Sequence, residues 1–177
     1  ADVVTLRSDG SEVMSRTIDV KTDDGPFGFP VPDSGGLPAG EYAVRVRLTS
    51  TADSSLALSG TARVVLSPSV ALGEAVMWRR GPTTGLQHRR TADPRFQRSD
   101  RLRFEYATTL SDPVKARLLD RNGNPLSVPV QTMERPDSSG AFRWVVVDAT
   151  LAPFAPGDYG VEVTEGSAKQ VTGFRIV

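Results

Sequence analysis

Pro38-Ala39-Gly40-Glu41-Tyr42-Ala43-Val44-Arg45-Val46 returns 117 positions later as Ala155-Pro156-Gly157-Asp158-Tyr159-Gly160-Val161-Glu162-Val163. Each copy has a glycine turn followed by an acid, a tyrosine and alternating valines. Side chains of an extended chain point to opposite faces in turn, so Tyr42, Val44, Val46 and Leu48 share one face while Arg45 and Arg47 take the other. Leu102, Phe104 and Tyr106 alternate with Arg101, Arg103 and Glu105 in the same manner. Such segments predict strands that cover a core on one side and meet water on the other. Trp144-Val145-Val146-Val147 is apolar on both faces and predicts a central strand. No window sustains helical apolar spacing. The sixteen glycines and thirteen prolines fall between the short runs as turn signals, among them Asp9-Gly10, Gly81-Pro82, Asn122-Gly123 and Ser139-Gly140. The expectation is an all-β chain.

The repeat extends in both directions. Residues 4–12, with an Asp-Gly hairpin, correspond to residues 116–125 with an Asn-Gly hairpin, and residues 61–66 correspond to 171–177 as a closing strand. A tyrosine opening a strand just after a glycine turn resembles the tyrosine corner of immunoglobulin and fibronectin type III sandwiches. That resemblance implies that Tyr42 and Tyr159 each pin the turn before them. The reading is two tandem β-sandwich domains of this type, residues 1–67 and 68–177. The second has room for seven strands: 74–78, 101–107, 114–119, 125–130, 142–148, 158–164 and 170–177. The first begins where the third of these begins, so its two opening strands are lacking. Three readings stand for it: a piece of a longer parent chain, a domain completed by a strand from a partner in a strand-complemented oligomer, or a divergent five-stranded domain that closes alone.

Composition excludes several chemistries. There is no cysteine, hence no disulfide, thiolate nucleophile or cysteine metal site. His88 is the single histidine, too few for a zinc site, and no Gly-x-Ser-x-Gly elbow presents a serine to it. Asp120-Arg121-Asn122-Gly123-Asn124 superficially resembles a calcium loop, but its glycine stands fourth, not sixth, and position twelve is Gln131. It reads as a hairpin turn, as does Asp23-Asp24-Gly25. Gly81-Pro82-Thr83-Thr84-Gly85 lacks the lysine of a phosphate loop. No catalytic residue, cofactor or metal is expected, no membrane-spanning run is present, and the chain reads as a non-enzyme.

Charge is balanced globally, with 21 basic and 21 acidic side chains, but not locally. Residues 79–103 hold eight arginines against Asp93 and Asp100. Guanidinium forks suit carboxylate, sulfate or phosphate groups, which marks Arg79, Arg80, Arg89, Arg90, Arg95 and Arg98 as candidate residues for a partner or anion. The competing reading has these arginines pair with acids of the chain itself and order a long connection. Nucleic acid would require a more basic domain with interleaved aromatics, and none is expected. Trp78 and Trp144 are candidates for a sugar platform, although both fall within strands, where core packing is expected.

Residues 79–85 (Arg-Arg-Gly-Pro-Thr-Thr-Gly), 91–96 (Thr-Ala-Asp-Pro-Arg-Phe), 116–123 and 151–159 together resemble the C-terminal region of exported acidobacterial proteins that carry a von Willebrand factor A-related domain upstream. The resemblance implies export to the periplasm or cell surface and a non-catalytic role in adhesion or assembly. The expected partner is a protein or the remainder of a longer parent chain, with an acidic polysaccharide as a further candidate. The alternative function is a carbohydrate-binding accessory module of a polysaccharide-degrading enzyme. The metal-dependent site of that family belongs to the upstream domain, so the resemblance assigns no ligand residue here.

Overall fold

The computed structural model describes residues 1–21, 37–66, 71–137 and 142–177. The turn signals at Asp23-Asp24-Gly25 and Ser139-Gly140 lie outside them. The chain divides into two compact units, Ala1–Ser69 and Val70–Val177. It is all-β, and the described residues form three sheets.

In the first unit, β1 (Asp2–Arg7), β2 (Glu12–Thr17), β3 (Gly40–Thr49) and β4 (Ala57–Leu66) form one antiparallel sheet in the order β2-β1-β3-β4. Gly10, at φ 83°, closes the β1–β2 hairpin, and the Asp9 carboxylate accepts the Ser11 N–H at 2.8 Å. An Asp-Gly pair suits this turn because an aspartate side chain can cap its own turn and glycine takes positive φ without a Cβ penalty.

The second unit holds β5 (Leu72–Arg80), β6 (Arg89–Arg90), β7 (Arg95–Phe96), β8 (Arg101–Thr108), β9 (Val114–Leu119), β10 (Gln131–Pro136), β11 (Arg143–Thr150), β12 (Gly157–Glu165) and β13 (Ala168–Ile176). One sheet runs β10-β11-β8-β5-β6 and the other β7-β13-β12-β9. Their inner faces enclose a core of Phe96, Leu102, Phe104, Tyr106, Leu118, Val145, Val147, Leu151, Val161, Val163, Phe174 and Ile176. Phe174 meets Phe96 and Phe104 edge-on, with centroids 6.1 and 6.0 Å away, and stacks on Tyr159 at 5.8 Å. β11, the run read as central, lies between β10 and β8.

The internal repeat is visible in the backbone. β1, β3 and β4 neighbour one another as β9, β12 and β13 do. Gly10 and Gly123 have φ of 83° and 82°, and Gly40 and Gly157 have 156° and 157°. The Tyr42 hydroxyl donates to the Pro38 carbonyl at 2.8 Å, and the Tyr159 hydroxyl to the Ala155 carbonyl at 2.9 Å, both four residues back.

Two strand expectations need correction. Residues 125–130 are not a strand: Pro125 makes an isolated bridge to Leu119, and the pairing strand is β10, immediately after. Pro125 and Pro129 have no N–H to give a ladder. The alternating Leu126, Val128 and Val130 instead pack against the core from an irregular segment. The long connection between β5 and β8 holds two short strands, β6 and β7, that its composition did not announce.

Candidate docking site

β5 ends at Arg80, and the chain turns at Gly81 through a short 3-10 turn, Pro82–Thr84. Gly85 and Leu86 follow, both at positive φ. β6 then returns along β5, pairing Arg90 with Trp78 and Arg89 with Arg79. From there the chain crosses to the other sheet, where β7 pairs in parallel with the end of β13, Arg95 opposite Arg175 and Phe96 opposite Ile176. The arginine-rich run is therefore a bridge between the edges of two sheets, with Phe96 fully buried as its anchor.

Most of its arginines are engaged within the chain. Arg79 donates to the Arg95 carbonyl, reaches Asp100 at 3.4 Å and lies over the Phe96 ring at 5.0 Å. Asp100, 3% exposed, also accepts the Gln97 N–H at 2.8 Å. Arg95 forms a two-point pair with Asp93 at 2.9 and 3.0 Å, which holds the Asp93 carboxyl down at about 2. Arg98 donates to the Ala152 carbonyl at 2.7 Å, and Arg90 covers the Trp78 ring at 5.0 Å. Arg80 donates its Nε–H to the Leu86 carbonyl at 2.7 Å. Arg89 is exposed on its two-residue strand.

The six candidates thus do not form one patch. Arg79 and Arg95 line a cavity with Asp93 and Asp100. Arg80 stands on the opposite, outward face of the five-stranded sheet, opposite Arg101 in register. There a cavity of about 370 Å³ is lined by Arg80, His88, Arg101, Arg103, Gln131 and Asp148, with Val128 and Pro129 beside them. Arg103 is held by Asp148 through two bonds of 2.8 Å. Arg101 is exposed, and among the described residues no acid stands opposite it in register: its partners are Arg80 and Thr150. Burial, then the nearby Arg103 charge, lower the His88 pKa. The imidazole stays neutral near pH 7, able both to donate and to accept a hydrogen bond.

The rest of this outward face is polar and aromatic. Glu105, 5% exposed, accepts from Arg135 at 2.8 Å, and the Arg135 guanidinium lies 5.0 Å from the Trp144 ring centre. Both tryptophans sit outward: Trp78 pairs with Arg103 and Trp144 with Ala107 and Arg135. The expectation that they pack in the core is corrected. Their parity along the strand carried this signal, since inward Val145 and Val147 place Trp144 on the other face. Arg101 and Arg103 belong to the arginine-rich run but not to the candidate set, and the meeting of Arg103 with Asp148 was legible only through strand register, which links positions 45 residues apart; His88, just before β6, lies in no strand.

Among the described residues, no group of three or more histidine, cysteine or acidic side chains gathers to hold a metal ion, and no helix is long and apolar enough to cross a membrane. The chain matches no model of a known protein family and no curated protein.

Proposed function

We propose that the chain is a non-catalytic interaction module of an exported bacterial protein, acting in adhesion or assembly at the periplasm or cell surface, and that it docks an acidic partner through the outward groove of the second unit. The observation that carries this reading is the pairing of charges on that face. Arg103 and Arg135 are matched by Asp148 and Glu105, whereas Arg80 and Arg101 border the groove as each other's register partners, with no acid opposite either of them in register among the described residues. An incoming carboxylate there meets two guanidinium groups and a neutral imidazole. The strand order supports an immunoglobulin-like assignment for this unit: β5, β8, β11 and β10 fall as strands A, B, E and D, and β9, β12 and β13 as C, F and G. Domains of that architecture serve many unrelated functions, so the function is argued from the groove.

The test is binding of the chain to immobilised poly-glutamate and to alginate at low and moderate salt. Arg80→Ala with Arg101→Ala should weaken binding at least tenfold and flatten its salt dependence. Unchanged binding in the double variant rejects the groove. The carbohydrate-module alternative draws on the outward tryptophans. Each ring carries a guanidinium on it, so stacking on a sugar requires Arg90 or Arg135 to move aside. A shift of tryptophan emission on adding neutral glycans would favour it.

A further inference from the structure

The two units share a three-stranded sheet and differ in what lies over it. In the second unit Phe174 on β13 pairs with Tyr159 on β12, and Ile176 with Gly157. The same register in the first unit places Val64 on β4 opposite Tyr42 on β3, and Leu66 opposite Gly40. Val64 is thereby the counterpart of Phe174, Leu66 of Ile176, and Ala62 of Thr172. In the second unit these positions are closed: Phe174 is 4% exposed and Ile176 1%. Phe104 of β8 and Phe96 of β7 meet Phe174, and the Tyr106 hydroxyl of β8 reaches Thr172 at 3.1 Å.

In the first unit Val64 is 37% exposed, Leu48 39% and Leu58 74%, and these three share one face with Val44 and Val46 by register. The face is not open throughout, for Val3 and Thr5 on β1 are buried at 1% and 0%. The exposure is concentrated on β4, whose ten residues are exposed except for half-buried Leu66. Among the described residues, β4 is also the last strand of its sheet, whereas β13 is flanked by β7. A long strand that is exposed on both faces and open at its edge invites pairing.

We infer that the β3–β4 face is a docking surface for an antiparallel pair of β-strands from outside residues 1–177, occupying the place that β5 and β8 hold over β12 and β13. The internal duplication specifies the occupant: alternating apolar side chains with aromatics aimed at Val64 and Ala62, as Phe104 and Tyr106 are aimed at Phe174 and Thr172. A short strand beside the edge of β4 would stand where β7 stands beside β13. This surface lies in the first unit and does not depend on the groove of the second.

The experiment uses the full chain, alone and with a second copy of its own residues 71–113 fused ahead of Ala1, which reproduces the strand order of the second unit. Amide exchange of Ala57–Leu66 is followed by mass spectrometry, together with fluorescence of a hydrophobic dye and mass by light scattering. The expected result is fast exchange of β4 and dye binding in the chain alone. The fusion should slow β4 exchange at least tenfold and remove most dye binding. A fusion with Phe104→Asp and Tyr106→Asp in the added copy only should do neither. Fast β4 exchange that the fusion leaves unchanged overturns the inference. So does a monomeric, dye-silent chain in which β4 already exchanges as slowly as Ala168–Ile176. A dimer that protects β4 and is abolished by Val64→Asp overturns it in favour of a second copy as occupant.

Discussion

Tyr42 and Tyr159 each spend a hydroxyl on one carbonyl four residues back, and that single bond fixes how the chain enters β3 and β12. Tyr42→Phe and Tyr159→Phe should each lower the stability of their own unit by about 1 kcal/mol, measured by chemical denaturation. Gly157 has φ 157° with the Tyr159 ring 3.7 Å from where a Cβ would stand. Gly157→Ala should cost about 1–3 kcal/mol through backbone strain, more than the loss of the hydroxyl itself. Acid sensitivity also belongs to single residues. Glu162, 5% exposed, accepts from Lys169 and Arg117 at 2.5 Å each, and these bonds hold its pKa below the usual glutamate value. A carboxylate depressed in the folded state contributes stability that is complete above its unfolded pKa and is lost as pH falls through the folded one. Thermal unfolding midpoints should therefore drop from about pH 5 downward, and Glu162→Gln should lessen that slope.

Among the elements, β7 has an importance out of proportion to its two residues. Phe96, wholly buried, carries the bridge between sheets and meets Phe174 and Arg79. Phe96→Ala should destabilise the second unit by about 3–5 kcal/mol, as read by denaturant titration. The strands that were legible in the sequence had a clear apolar pattern: β3, β8 and β12 lie where alternation put them, and β11 where a run apolar on both faces put it. β7 was not legible because two residues have no period, and its pairing is decided by a strand some 80 positions away. Residues 125–130 misled for the opposite reason, since their alternation is real but prolines deny them a ladder. The site shows the same division. A charge count finds the arginine run, yet only register tells Arg80, which joins the groove, from Arg79, which is tied to Asp100 and Phe96.

For the molecule as a whole, the described residues of the two units differ in how much apolar surface they enclose. Among the described residues, the fifteen-residue core cluster belongs wholly to the second unit, while the first keeps Leu58 and Val65 at 74% and 69% exposure. Less burial gives less stability, so the first unit should unfold first. Both tryptophans, Trp78 and Trp144, lie in the second unit, so their fluorescence is blind to that event. In a denaturant titration, far-ultraviolet circular dichroism should record an early transition that tryptophan emission does not follow. Coincident curves would mean that the units unfold as one.

The parallel pairing of β7 with β13 also gives the second unit a direction of strength. The Arg175 N–H donates to the Pro94 carbonyl and the Val177 N–H to the Phe96 carbonyl, each at 2.9 Å. Tension transmitted through Val177 along β13 would load both bonds together in shear instead of peeling them apart in succession. With Phe96 seated in the core behind them, β13 is fastened like a lap joint.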